Sequence, residues 1–298
     1  MIRSYRDEDL PQVAEMVRAG VRLDRATISR RLASGKALVF DDEGIKAVGV
    51  VGDPYSGEEQ DRMDLWLYVA PRFRRMGIGK RLFDRLSPGD RVLRPTHLEA
   101  GYRCDEGDGR RFFRARGFAR WFTLYFMRYS GWSLPEPSLE VRPPAEEWLD
   151  AYFDLVNRSF YSLRRAQDMR PFAPYPAGST GNRETRRGIL DRENSFLFFE
   201  EGELIGIGET DGRDFIDLVA VHPDRMRRGY GRAITAYCVN RLLARGCPTV
   251  VTAVLEINTP ARRLYESMGF QQFEVYEEAR VLLRPHGDAG HASGEGVG

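Results

Sequence analysis

Short apolar runs alternate along the chain with charged stretches whose apolar residues recur at helical spacing. Near the start, Ile2-Arg3 precedes an acidic stretch carrying Leu10, Val13, Met16 and Val17. A similar figure returns at Val141-Arg142, followed by Trp148, Tyr152, Phe153 and Val156. Each predicts a short strand entering a helix, with Asp or Pro near the helix start. Further on, Phe196–Glu200 and Glu203–Gly208 predict a hairpin turned at Glu201-Gly202. Phe215–Val221 predicts a strand. Arg232–Arg245 carries Ile234, Tyr237, Cys238 and Leu242 at helical spacing, and Thr249–Leu255 is rich in β-formers. Pro260–Met268 predicts a helix opened by Asn258-Thr259-Pro260 and stopped by Gly269.

The pattern is duplicated. Val69-Ala-Pro-Arg-Phe-Arg-Arg-Met-Gly-Ile-Gly79 matches Val221-His-Pro-Asp-Arg-Met-Arg-Arg-Gly-Tyr-Gly231. Pro71 and Pro223, Gly77 and Gly229, and Gly117-Phe118 and Gly269-Phe270 are all 152 residues apart. Two homologous halves are expected, at residues 1–132 and 139–284. Residues 130–140, rich in Pro, Ser and Gly, read as the linker, and 285–298 as a flexible tail. The expected class is α/β of the α+β kind, with two tandem domains.

Composition narrows the function. Forty-five basic residues against 44 acidic give a net charge of +1, which argues against a global electrostatic grip on nucleic acid. No apolar run is long enough to cross a bilayer, so no membrane association is expected. Cys104, Cys238 and Cys247 are far apart and form no metal-ligand or disulfide spacing. A cytoplasmic protein without a metal is expected, as a monomer or a homodimer.

A strand that ends in a glycine turn and opens a helix forms an anion site. The first helical N–H groups lack partners and the helix dipole adds positive charge there. Glycine permits positive φ and close approach of the ligand. Arg74 and Arg75 flank the first turn, and Arg227 and Arg228 the second. Neither turn is a P-loop or a dinucleotide fingerprint, because the further Gly or Lys-Ser/Thr positions are missing.

The combined run is more specific. Val221-His-Pro223, Arg227-Arg-Gly-Tyr-Gly231 and Asn258-Thr-Pro-Ala261-Arg-Arg-Leu264-Tyr265-Glu-Ser-Met-Gly269-Phe270 resemble the GNAT superfamily of N-acetyltransferases. Two such domains in tandem resemble the architecture of the mycothiol synthase family. The resemblance implies, for each half, a mixed, mainly antiparallel sheet flanked by helices, with acyl-CoA bound where two strands splay. It implies acetyl-CoA as cosubstrate and a small-molecule or peptide amine as acceptor. The pantetheine arm would pair with Val219, Ala220 and Val221. The pyrophosphate would sit over Met226, Arg227, Arg228, Gly229, Tyr230, Gly231 and Arg232. Asn258 would bond the pantetheine arm, and Tyr265 would protonate the departing thiolate. The same carry-over gives Leu67, Val69, Arg74, Arg75, Gly77 and Gly79 in the first half.

Two departures stand out. The position of the usual glutamate base is Phe215, so Asp217 is the first substitute and Glu209 the second. Met226 replaces a Gln or Arg that Arg74 retains. His222 reads as a strand-end residue. In the first half, Tyr265 maps to Phe113, Asn258 to Glu106 and Ala261 to Gly109, and Pro88 interrupts the helix after the turn. The second half is therefore expected to catalyse and the first not. A catalytically dead acyl-CoA sensor or scaffold is the alternative, and a protein-interaction module using a sheet edge is another. The arginine-rich segment Tyr161–Arg187 reads as a solvated loop near the acceptor, or as a preference for an anionic acceptor.

Overall fold

The computed structural model describes residues 1–21, 23–53, 62–86, 97–105, 107–135 and 138–283. Glu106, Pro88 and the tail at 285–298 lie outside the described residues. In chain order the elements are β1 (Ile2–Ser4), α1 (Leu10–Arg18), α2 (Arg25–Ala33), β2 (Gly35–Asp41), β3 (Ile45–Gly52), β4 (Arg62–Val69), α3 (Ile78–Leu86), β5 (His97–Arg103) and α4 (Asp108–Arg114). There follow β6 (Ala119–Tyr129), β7 (Glu140–Arg142), α5 (Leu149–Ala166), α6 (Ala177–Thr180), α7 (Arg183–Leu190), β8 (Ser195–Glu200), β9 (Glu203–Thr210) and β10 (Phe215–Val221). Then come α8 (Tyr230–Ala244), β11 (Val250–Leu255), α9 (Thr259–Ser267) and β12 (Gln271–Leu282).

The chain divides into two compact units that are not contiguous in sequence. Among the described residues, the first holds Met1–Gly101, Phe113–Ala119 and residues 279–283. Its strands run β1-β2-β3-β4-β5, antiparallel as far as β4 and parallel between β4 and β5. Val13, Val17, Ile28 and Leu32 of α1 and α2 pack on one face against Val48, Val50 and Tyr68. On the other face, Leu86 of α3 lies over Gly49, where a Cβ would come within 2.4 Å of its methyl.

The second unit holds Tyr102–Phe112 and Arg120–Glu278. Its strand order is β12-β6-β11-β10-β9-β8-β7; β10 and β11 pair in parallel, and β6-β11, β10-β9, β9-β8 and β8-β7 pair antiparallel. Helices cover both faces here too. Ile234, Cys238, Val239 and Leu242 of α8 and Tyr265 of α9 pack on Ile216. Leu149, Tyr152, Phe153 and Val156 of α5 and Ile189 of α7 pack on Ile207 and Ala220. Each unit is thus a mixed, mainly antiparallel sheet flanked by helices.

Two features differ from a simple pair of halves. Strand β6 runs alongside β11 from Val250↔Tyr129 to Leu255↔Leu124. Six residue pairs of antiparallel ladder hold it in the second unit, although it precedes the Pro/Ser-rich stretch. That stretch is also tied down in part. Asn240 of α8 accepts from Leu134 N (2.8 Å) and donates to Leu134 O (2.8 Å). Among the described residues all three cysteines are free, and no helix is long and apolar enough to cross a membrane.

Candidate active site

Strands β10 and β11 pair only at Phe215↔Val251 and Ile216↔Thr252, then part. Beyond Ile216, β10 remains paired with β9 alone. His222 N donates to Ile205 O (2.9 Å), so the backbone of residue 222 faces β9. Alternation along the strand then turns the N–H and C=O groups of Val219 and Val221 toward the opening. Ala220 does the reverse: its backbone faces β9 and its side chain is buried under α5. Of the three strand residues assigned to the pantetheine arm, the structure brings Val219 and Val221 to the opening by their backbones.

A 3-10 turn, Pro223–Arg225, follows β10, and Met226 is extended. Arg227 (φ 63°) and Gly229 (φ 91°) are both left-handed, and α8 starts at Tyr230. Alternating left-handed residues gather backbone N–H groups into a concavity suited to an anion, and the helix N-terminus reinforces it. Arg227 and Arg228 make no hydrogen bond or ion pair among the described residues. Arg225 instead bonds Glu203, Tyr230 bonds Glu200, and Arg232 bonds Ser267. Met226 is exposed. A cavity of about 450 Å³ beside the turn is lined by Glu203, Leu204, His222, Asp224, Arg225 and Arg228. His222 is part of the turn itself. Its Nδ1 accepts from Asp224 N (3.3 Å), and Arg158 Nη1 of α5 lies 3.0 Å from Nε2.

Tyr265 lies on α9, whose N-terminus is capped by Asn258 Oδ1 accepting from Ala261 N (3.3 Å). Pro260 stands in the first turn, where its missing N–H costs nothing. The Tyr265 ring is 6% exposed and packs on Phe270, with centroids 5.4 Å apart. Burial pushes its phenol up to about 12, and the neighbouring Thr252 hydroxyl pulls it partly back. Thr252 is the last β11 residue paired with β10, and its hydroxyl donates to Ile216 O (3.2 Å). The phenol therefore stands at the fork of the two strands. Sequence reasoning missed Thr252, because a hydroxyl in the apolar run Val250–Leu255 gives no sign of its partner.

The two substitute carboxylates differ. A bulge in the β9 ladder between Ile216 and Leu218 sets Asp217 at the fork. Its carboxyl makes no hydrogen bond among the described residues. The side chain is exposed on the strand, yet partial desolvation by its surroundings pushes it up to about 6, with smaller contributions from the charges of Asp211 and Glu209. Glu209 is 7% exposed and engaged on both oxygens. Tyr152 Oη (2.7 Å) and Ser195 Oγ (2.8 Å) donate to Oε1, and Arg192 Nη1 (2.6 Å) donates to Oε2. Phe215, in the usual place of the base, packs on Phe126 at 6.2 Å between centroids.

The arginine-rich segment is largely folded and paired. Arg186 bonds Glu146 and Asp150, Arg187 bonds Asp191, and Arg164 donates to Pro171 O. Asn157 of α5 pins the loop by exchanging bonds with Tyr175 N and O (2.8 and 2.6 Å).

The first half repeats part of this geometry. Strand β4 pairs with β5 from Arg62↔His97 to Asp64↔Glu99, then parts from it. Ala70 N donates to Lys46 O (3.0 Å), which turns the backbones of Leu67 and Val69 to the opening. Arg75 (φ 66°) and Gly77 (φ 76°) repeat the left-handed pair, and Gly79 lies in the first turn of α3. Arg74 does not reach forward: its Nε donates to Val69 O (3.1 Å). Phe113 is buried where the phenol would be. At Gly109 a Cβ would come within 2.7 Å of Tyr102.

Comparison with known proteins agrees with this geometry. The model of the acetyltransferase (GNAT) family matches residues 147–270. A mycothiol acetyltransferase of Kocuria rhizophila is 36% identical, over 92% of this chain and 91% of its own. That of Thermobifida fusca is 29% identical, over 80% of each chain. Among solved structures, a tandem GNAT protein from the clavulanic acid biosynthesis pathway superposes with a TM-score of 0.68 at 16% identity. The match covers 95% of this chain and 98% of that one, and speaks for the fold.

Proposed function

Because this chain belongs to the acetyltransferase (GNAT) family, we propose that its second half moves an acetyl group from acetyl-CoA to a primary amine by direct attack. The observation that carries the reading is the fork itself, where β10 and β11 part and the buried Tyr265 lies beside Thr252. The pantetheine arm adds to the open edge of β10 as a strand would, through Val219 and Val221. The pyrophosphate rests on the turn from Met226 to Arg232, held by backbone N–H groups and the free guanidiniums of Arg227 and Arg228. The Val219 N–H supports the oxyanion that forms as the amine attacks the thioester carbonyl.

Asp217 takes the proton of the incoming ammonium, since it is near the fork and its pKa is raised toward working pH. Glu209 is already committed to three donors, and its role is to hold α5 and β9 together. Tyr265 then delivers a proton to the leaving thiolate. Asn258 caps α9 with its oxygen, which leaves its amide nitrogen for the pantetheine arm. The first half keeps the fold and the anion turn through Arg75, Gly77 and Gly79, but carries no acid, because Phe113 replaces the tyrosine.

The names of the relatives direct the choice of acceptor: the unacetylated form of mycothiol is the amine to test first. The experiment is release of free CoA thiol with that amine and with a panel of other amines. Turnover that depends on both acetyl-CoA and amine is expected. Binding of acetyl-CoA without turnover of any amine would instead favour a non-catalytic sensor.

A further inference from the structure

Toward its opening, β10 presents four backbone groups, the N–H and C=O of Val219 and of Val221. One of them is already occupied. Ser159 Oγ, on α5, donates to Val221 O at 2.9 Å. The matching carbonyl of the first half, Val69 O, is occupied as well, by Arg74 Nε at 3.1 Å.

The two capping side chains come from different elements. Arg74 lies in the turn, and the residue 152 positions later is Met226, which carries no donor. Ser159 lies on the first helix of its half. There the halves keep an offset of 139: Arg142 against Arg3, the 3-10 turn Glu146–Trp148 against Asp7–Asp9, and Leu149 against Leu10 at the helix start. Ser159 then matches Gly20, which has no side chain, and a Cβ at Gly20 would come within 2.3 Å of Tyr68 Oη. Each half has one donor and lacks the other: Arg74 with Gly20, Ser159 with Met226. A strand-end carbonyl capped twice by unrelated means points to a requirement at that carbonyl.

We propose that Ser159 is a positioning residue that sets the register of the acyl donor by closing the Val221 carbonyl. The inference rests on the reading that the β10 edge takes the pantetheine amides. A strand edge repeats every two residues, about 6.7 Å. A donor slipped one repeat toward the turn would use Val221 O in place of Val219 O. Its thioester would then lie about 6.7 Å from the Val219 N–H and from the fork. With Val221 O already bonded to Ser159, the slipped register lacks its acceptor and the productive one does not.

The test is steady-state kinetics of Ser159→Ala with acetyl-CoA varied and amine saturating. Donor bound out of register is bound but unproductive. Both kcat and the KM for acetyl-CoA are therefore expected to fall by one common factor, roughly two- to tenfold for a bond of this kind, with kcat/KM held. Ser159→Thr, which keeps the hydroxyl, should retain both constants. Met226→Arg placed on the Ser159→Ala background should restore kcat by capping as Arg74 does. A raised KM at constant kcat, unchanged constants, or no recovery with Met226→Arg would each overturn the register stop. If the unmodified chain shows no turnover of acetyl-CoA, the acetyl-transfer reading beneath it fails instead.

Discussion

Tyr265→Phe removes one oxygen from a buried ring and leaves its packing on Phe270 in place. The stability loss should be no more than that of one hydroxyl's hydrogen bond, about 0.5–1.5 kcal/mol. The chemical loss should be larger. A phenol at about 12 is a weaker acid than a free thiol, which titrates near 8.5. Full proton transfer to a hydrated thiolate would be uphill by roughly 5 kcal/mol, at 1.36 kcal/mol per pK unit. The burial that weakens the acid also raises the basicity of the thiolate formed beside it, so the gap narrows at the fork. Positioned acids contribute about 10²–10⁴ in rate, and an uphill donor belongs at the lower end, near a hundredfold. The assay is kcat from free-thiol release at saturating amine, with a melting curve as control. No basic limb below about pH 10 should appear in the unmodified protein, because a phenol near 12 stays protonated there. A Tyr265→Phe protein that keeps more than about a third of kcat would refute the assignment.

Asp217→Asn should remove an acid limb near pH 6 from the kcat/KM profile and lower its plateau by about 10²–10⁴. The folded-state pKa of Asp217 is raised above 3.8, so the folded protein holds that proton more tightly and loses stability as pH rises toward 6. The asparagine variant should therefore melt higher at neutral pH, and a lower melting temperature would contradict the sign. Glu209→Gln should cost about 1–3 kcal/mol in urea unfolding, because Arg192, Tyr152 and Ser195 lose a charged acceptor. Its acid limb should stay near pH 6; a lost limb would make Glu209 the base. Gly229→Ala meets no atom within 4 Å, so its cost is that of left-handed backbone, about 1–2 kcal/mol. The KM for acetyl-CoA should rise as the turn relaxes, measured by titration of initial rates.

The local part of the site was legible in the sequence. Proline and glycine dictate backbone shape, so the matching runs at Pro71–Gly79 and Pro223–Gly231 predicted turns whose Arg75 and Arg227 share φ values of 66° and 63°. The helix cap at Asn258 and the stop at Gly269 were legible for the same reason. Side-chain direction was not. Arg74 looked like a phosphate ligand by type and place, yet it turns back to Val69 O. Glu209 and Asp217 are alike by composition, and only the packing of α5 on β9 commits the first and leaves the second unbonded. The pairing of β6 with β11 joins residues more than 120 positions apart, and no periodicity encodes such a register.

The discontinuous first unit has a consequence for synthesis on the ribosome. Chains emerge N-terminus first, and leading domains usually finish folding before later ones appear. Here that order is inverted. Met1–Gly101 is joined by residues 279–283, which are translated after the whole of Arg120–Glu278. The leading unit stays incomplete while more than 150 residues of another unit are made. Nascent chains arrested before Ala279 should therefore hold an unfinished unit of the kind that chaperones bind. The earliest-made part of this protein is the last to be closed.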